Sequence, residues 1–155
     1  MEWFGLSVPI LQAPIGGAAT PRLVIEVGRA GGMGSLALTW TPYETSRDRI
    51  AEIKAANVPF FINFVLRFGT AALVPVIALG VPAVTLSWGI DEAAIRLIKD
   101  SRAKVGVQVG SLAGARAKLR VDFHARRCAA ATAEARALQR RGNVGEAHCL
   151  RGAGA

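Results

Sequence analysis

The string Gln12-Ala13-Pro14-Ile15-Gly16-Gly17 sets a proline and two glycines directly after the apolar run Pro9-Ile10-Leu11. Glycine lets backbone approach a flat ring or a phosphate closely, and Pro14 leaves the neighbouring carbonyls and amides pointed at a ligand. An ordinary strand-to-helix turn has the same composition, so the string by itself leaves both readings open. Gly31-Gly32-Met33-Gly34 is a second glycine-rich turn, but it precedes an apolar run instead of following one. Its expected role is to end a helix and turn the chain tightly. Ser87 and Trp88 close another run, where Trp88 suits a ligand space or the core equally. His124, Cys128, His148 and Cys149 are zinc-type ligands by kind. They do not form two closely spaced pairs and contain no CxxC spacing, so neither a metal site nor a disulfide framework is expected. No residue is assigned a catalytic role.

The elements that must position these residues alternate. Apolar runs at residues 8–12, 35–38, 60–64, 83–86 and 104–107 read as strands covered on both faces. Between them lie helix-period segments, the pattern of βαβ units and a parallel sheet. The first helix is expected to start after Thr20, with Pro21 at its first position, and to stop at Gly31-Gly32. Thr41-Pro42 repeats that device for a second helix, with Ile50, Ile53 and Ala56 inward. A third is expected over residues 71–79, a fourth over 92–101 with Ala94, Ile95 and Ile98 inward, and a fifth from Ser111. Strand starts recur slightly more often than the roughly 31 residues per unit of an eight-unit barrel, and an open doubly wound sheet shows the same alternation.

With 155 residues, 52% of them apolar and 19% charged, the composition is that of a globular domain. A complete (β/α)8 barrel takes about 250 residues, so a barrel reading here covers only part of one. The net charge of +8 is unevenly placed. Up to Ala115 ten Lys/Arg face eight Asp/Glu, whereas from Arg116 nine face three. Residues 68–90 hold no charge and could span a bilayer by length alone. Their internal glycines and prolines break them into a helix-sized and a strand-sized piece, so no membrane association is expected. The first eleven residues lack a basic leading segment and Pro9 interrupts their apolar run, which makes cytoplasmic residence the expectation.

The strings PILQAPIGGAATPRL, GRAGGMGSLALT, VPFFINF, VPAVTLSWG and AKVGVQVGS occur in an order and at distances that resemble the nitronate monooxygenases, formerly called 2-nitropropane dioxygenases. The likeness covers about residues 3–116. Enoyl-acyl-carrier-protein reductases of the flavin type share the scaffold, but the Gln-Ala-Pro-Ile string is closer to the nitronate enzymes. The resemblance implies an α/β fold, about the first five strands of a (β/α)8 TIM barrel, over residues 1–117. It implies flavin mononucleotide (FMN) across the carboxyl ends of the strands, its ring against the backbone of Ala13, Pro14 and Ile15 and within reach of Asn63 and Gln108. An amide both donates and accepts, which suits a flavin edge; for Asn63 a cap on the following turn is the alternative. The implied reaction is oxidation of an alkyl nitronate or nitroalkane with O2.

In that family a Gly-Gly-His segment after the sixth strand supplies the base that removes a carbon-bound proton. No such segment occurs here: Val121-Asp122-Phe123 fits the family and His124 onward does not. A change of reading frame at that point would account for the break and for the Ala/Arg/Gly-rich composition of residues 118–155, which read as a basic tail and not a domain, with a weak helical stretch at 129–138. Neither histidine is carried over as the base, and the chain is expected to be inactive without the rest of the barrel. The second reading is a non-enzymatic module binding nucleic acid or acidic partners through residues 116–151. Phe123 is the tail's one aromatic, which argues against nucleic acid. A half-barrel with an open strand edge is expected to self-associate.

Overall fold

The computed structural model describes residues 4–120 and 147–151. Helix α1 (Pro21–Arg29) begins as its sequence dictates, with Pro21 in the first turn and the Thr20 hydroxyl accepting the Leu23 amide at 3.2 Å. The proline lacks an amide that the first turn would leave unpaired anyway, and the cap satisfies one of the others. Gly31 then turns the chain at φ +90° into β1 (Gly34–Ala37). A Cβ on Gly34 would lie 2.6 Å from the Val24 backbone, so this glycine is what lets α1 and β1 touch.

Helix α2 (Tyr43–Ala55) departs from expectation, because Pro42 is its cap residue and no side chain caps it. The residue before a proline is held in extended backbone. With Pro42 itself at ψ 147°, Thr41 lies one residue too early to cap, and its carbonyl receives the Ser46 hydroxyl at 3.4 Å. There follow β2 (Phe60–Val65), a single 3-10 turn (Leu66–Phe68), α3 (Leu73–Ala78), β3 (Ala83–Ser87), α4 (Glu92–Asp100), β4 (Lys104–Val109) and α5 (Leu112–Arg120). The charge-free stretch 68–90 thus becomes mainly α3 and β3. Among the described residues no helix is long and apolar enough to cross a membrane.

Strands β1 to β4 pair in parallel in chain order. Alternate residues point to opposite faces. Phe60, Ile62, Phe64, Val84, Leu86, Val105 and Val107 pack with Val24, Ile50, Ile53, Ile95 and Ile98 of the helices into the main core. On the other face Met33, Phe61 and Ala83 form a smaller cluster, plugged by Phe4 and Leu6.

Two expectations are corrected. The run at residues 8–12 is not a full strand but a single parallel bridge, Leu11 to Met33. Met33 N–H reaches the Ile10 carbonyl and Gln12 N–H the Met33 carbonyl, both at 2.9 Å. The next rung would need the amide of residue 14, and Pro14 has none. The tail, read as irregular or helical, contributes β5 (Ala147–Arg151), antiparallel to β4 with Val105 opposite Arg151 and Val109 opposite Ala147. The outer side of β4 offers unpaired backbone groups that another strand satisfies whatever its side-chain pattern. The next strand of a (β/α)8 barrel would be parallel. The helical stretch expected at 129–138, with His124 and Cys128, lies outside the described residues.

Candidate functional site

The helix-free face of the sheet carries a polar row where a purely apolar strand reading leaves none. Ala37, Asn63 and Thr85 occupy matching register positions on β1, β2 and β3, and Val65 matches Ser87 one step further on. Asn63 is 2% exposed. Its Nδ2 donates to Thr85 Oγ1 at 2.9 Å and to Ser87 Oγ at 2.8 Å, with the Thr85 carbonyl at 3.4 Å. Asn63 therefore lies inside β2 and not at its end, and its side chain crosses to β3 and does not cap a turn. Every buried side-chain polar atom among the described residues has a partner. Asn63 Oδ1 takes none among them and so faces open space.

That space is a cleft of about 320 Å³ at the carboxyl ends of the strands. Ala13 and Pro14 form one wall, Asn63, Thr85 and Ser87 the floor, and Trp88 and Gln108 the far side. Of the five residues singled out from the sequence, four line the cleft. Ile15 does not, and is 60% exposed beside it. Thr85 and Gln12 also line the cleft, and neither was assigned a role from the sequence. The period-2 alternation of Phe61-Asn63-Val65 against Phe60-Ile62-Phe64 is the signal that could have found the polar face.

Among the described residues the lining has no charged side chain. It therefore offers hydrogen bonds and a neutral surface but no acid or base. Among the described residues no group of His, Cys, Asp and Glu is placed to hold a metal ion. Gly31-Gly32-Met33-Gly34 lies outside the cleft lining and has the turning role expected of it. Trp88 adopts φ +58°, a strained value for a bulky residue, and its ring is the last of a row running Trp40, Phe68, Trp88 with centroids 4.9 and 6.1 Å apart.

A nitronate monooxygenase of Pseudomonas aeruginosa is 42% identical to this chain over 60 residues, 38% of this chain and 17% of that protein. Part of this chain is homologous to nitronate monooxygenases. FabK from Thermotoga maritima superposes with a TM-score of 0.69 at 28% identity, over 77% of this chain and 40% of that one. A nitroalkane oxidase from Streptomyces ansochromogenes shares the fold, with a TM-score of 0.64 at 21% identity over 76% of this chain and 44% of its own. No protein-family model matches the chain. The chain spans less than half the length of these relatives, and its parallel strands are part of a TIM barrel left unclosed. The cleft sits at the strand ends, where such barrels build their sites.

Proposed function

We propose that this chain forms the ring-binding side of an FMN-dependent nitronate monooxygenase site, in a cytoplasmic protein, and does not turn over substrate by itself. The carrying observation is the neutral cleft between the Ala13-Pro14 turn and Gln108, with Asn63 Oδ1 turned into it. A volume of about 320 Å³ is at the small end of ligand sites, suited to a flat ring and not to a whole nucleotide. The uncharged lining formed by the described residues fits the ring of a flavin and offers nothing to its phosphate.

When bound, the flavin supplies two-electron chemistry, taking electrons from an alkyl nitronate and passing them to O2. The residues of the chain hold and orient it. Asn63 Oδ1 serves as acceptor for a ring N–H, because the Thr85 carbonyl, which only accepts, holds the amide with its nitrogen toward β3. Gln108 is the second amide at the ring edge, and the Ala13-Pro14 backbone backs the ring. Among the described residues no titratable group lines the cleft, so none of them takes a carbon-bound proton from a nitroalkane, and no Gly-Gly-His segment occurs in the chain. Self-association uses the edge beside Leu11 and β1, since β5 covers the outer side of β4.

Adding FMN to the purified protein while following its absorbance tests the reading. Saturable binding is expected, weakened at least tenfold by Asn63→Ala or Gln108→Ala, with no nitronate-dependent oxygen uptake. Absence of binding, or binding indifferent to both substitutions, contradicts it.

A further inference from the structure

Gln12 and Ser35 stand 23 residues apart in the chain and are tied together by two hydrogen bonds, with a third from Gln12 to Ala13. Gln12 Oε1 accepts the Ser35 amide at 2.9 Å, Ser35 Oγ donates to the Gln12 carbonyl at 2.7 Å, and Gln12 Nε2 donates to the Ala13 carbonyl at 2.7 Å. Ser35 has no exposed surface. The arrangement follows from Pro14. A parallel ladder would send the Ser35 amide to the Gln12 carbonyl and take an amide from residue 14 in return, and proline cannot give one. The side chains of Gln12 and Ser35 supply the rung that the backbone lost.

Both carbonyls ahead of Pro14 are thereby engaged within the protein. The Ala13 carbonyl also receives the Ile15 amide at 2.9 Å. In Ala13-Pro14-Ile15 the Ile15 amide is used, Pro14 has none, and the Ala13 amide has no partner among the described residues. The turn offers the cleft one donor and keeps back two carbonyls that would repel the acceptor atoms of a flavin ring.

We propose that Gln12 and Ser35 are positioning residues that set the Ala13 peptide for the flavin ring, an inference that rests on the flavin reading above. Glutamine is the residue that fits. It accepts from Ser35 and donates to Ala13 with one side chain, whereas glutamate accepts but does not donate once ionised, and methionine does neither.

Hydrogen exchange on the flavin-free full chain, followed by FMN titration, tests this with Gln12→Met, Gln12→Glu and Ser35→Ala. Gln12→Met is expected to speed exchange of the Ser35 and Ile15 amides roughly tenfold, as loss of one or two hydrogen bonds implies, with Ile62 and Leu86 unchanged. FMN then binds roughly tenfold more weakly, with a shifted absorption maximum. Ser35→Ala gives a smaller change in the same direction, and Gln12→Glu restores protection of Ser35 while Ile15 stays fast. Unchanged exchange at Ile15 in both Gln12→Met and Ser35→Ala overturns the proposal. So does FMN binding of unaltered strength and spectrum in Gln12→Met. Failure of the intact chain to bind FMN overturns the flavin reading instead, and the exchange data then still decide whether Gln12 and Ser35 set the turn.

Discussion

Asn63 on β2 and Ser87 on β3 are diagonal neighbours, and Asn63 Nδ2 donates to Ser87 Oγ at 2.8 Å in a site almost closed to water. The Thr85 carbonyl, which only accepts, lies 3.4 Å from the same nitrogen and keeps that end of the amide toward β3. Asn63→Ala removes both donated bonds to hydroxyls and leaves a void, for an expected loss of about 2–3 kcal/mol in urea unfolding. Ser87→Ala leaves Thr85 as partner and is expected to cost about 1 kcal/mol. Equal losses for the two variants would mean that Asn63 is not the centre of the row.

Gly34 is expected to be the glycine least tolerant of a methyl group among those without positive φ at the start of β1. Gly34→Ala drives a Cβ to 2.6 Å from the Val24 Cα and carbonyl oxygen, which are backbone and cannot swing away. Overpacking of this kind costs about 2–3 kcal/mol. At Gly110 nothing lies within 4 Å of an added Cβ, so Gly110→Ala should stay within about 0.5 kcal/mol of the parent. Denaturant midpoints of the two variants check the contrast.

Thr20 and Thr41 look alike in sequence, each followed by proline, and the structure separates them. Thr20→Ala loses the cap on Leu23 and is expected to cost about 1 kcal/mol. Thr41→Ala keeps the carbonyl that Ser46 uses and should cost under about 0.5 kcal/mol. Thermal midpoints of both variants that fall equally would restore the symmetrical reading.

This pair shows where legibility ended. The helices and four of the parallel strands were readable because each buries one unbroken apolar set against the other, so composition and period agree. The bridge at Leu11 and the strand β5 were not, because the first is limited by a missing amide at Pro14 and the second is held by pairing with an exposed edge. In the site, Ala13, Pro14, Asn63 and Gln108 could be singled out from the sequence, and the cleft gathers them. The link from Gln12 to Ser35 could not, since no local pattern joins residues whose only relation is a lost rung.

Burial holds the Lys104 ammonium below its ordinary value of 10.5, although it stands 4.0 Å from the centre of the Phe4 ring. A depressed folded value means that the unfolded chain binds the proton more tightly, so charged Lys104 costs stability at neutral pH. The cost declines as pH rises through the folded value and is gone above 10.5. The unfolding free energy of the parent minus that of Lys104→Met should therefore move in the parent's favour between neutral pH and 10.5. A difference that stays flat or moves the other way would show that the ammonium is not desolvated.

The central claim, that this cleft holds a flavin by its ring, is tested most directly by titrating the same protein with FMN and with riboflavin. Among the described residues the lining carries no cation for a phosphate, so both are predicted to bind saturably with affinities within about threefold. Binding of neither, or binding of FMN alone, would contradict the account.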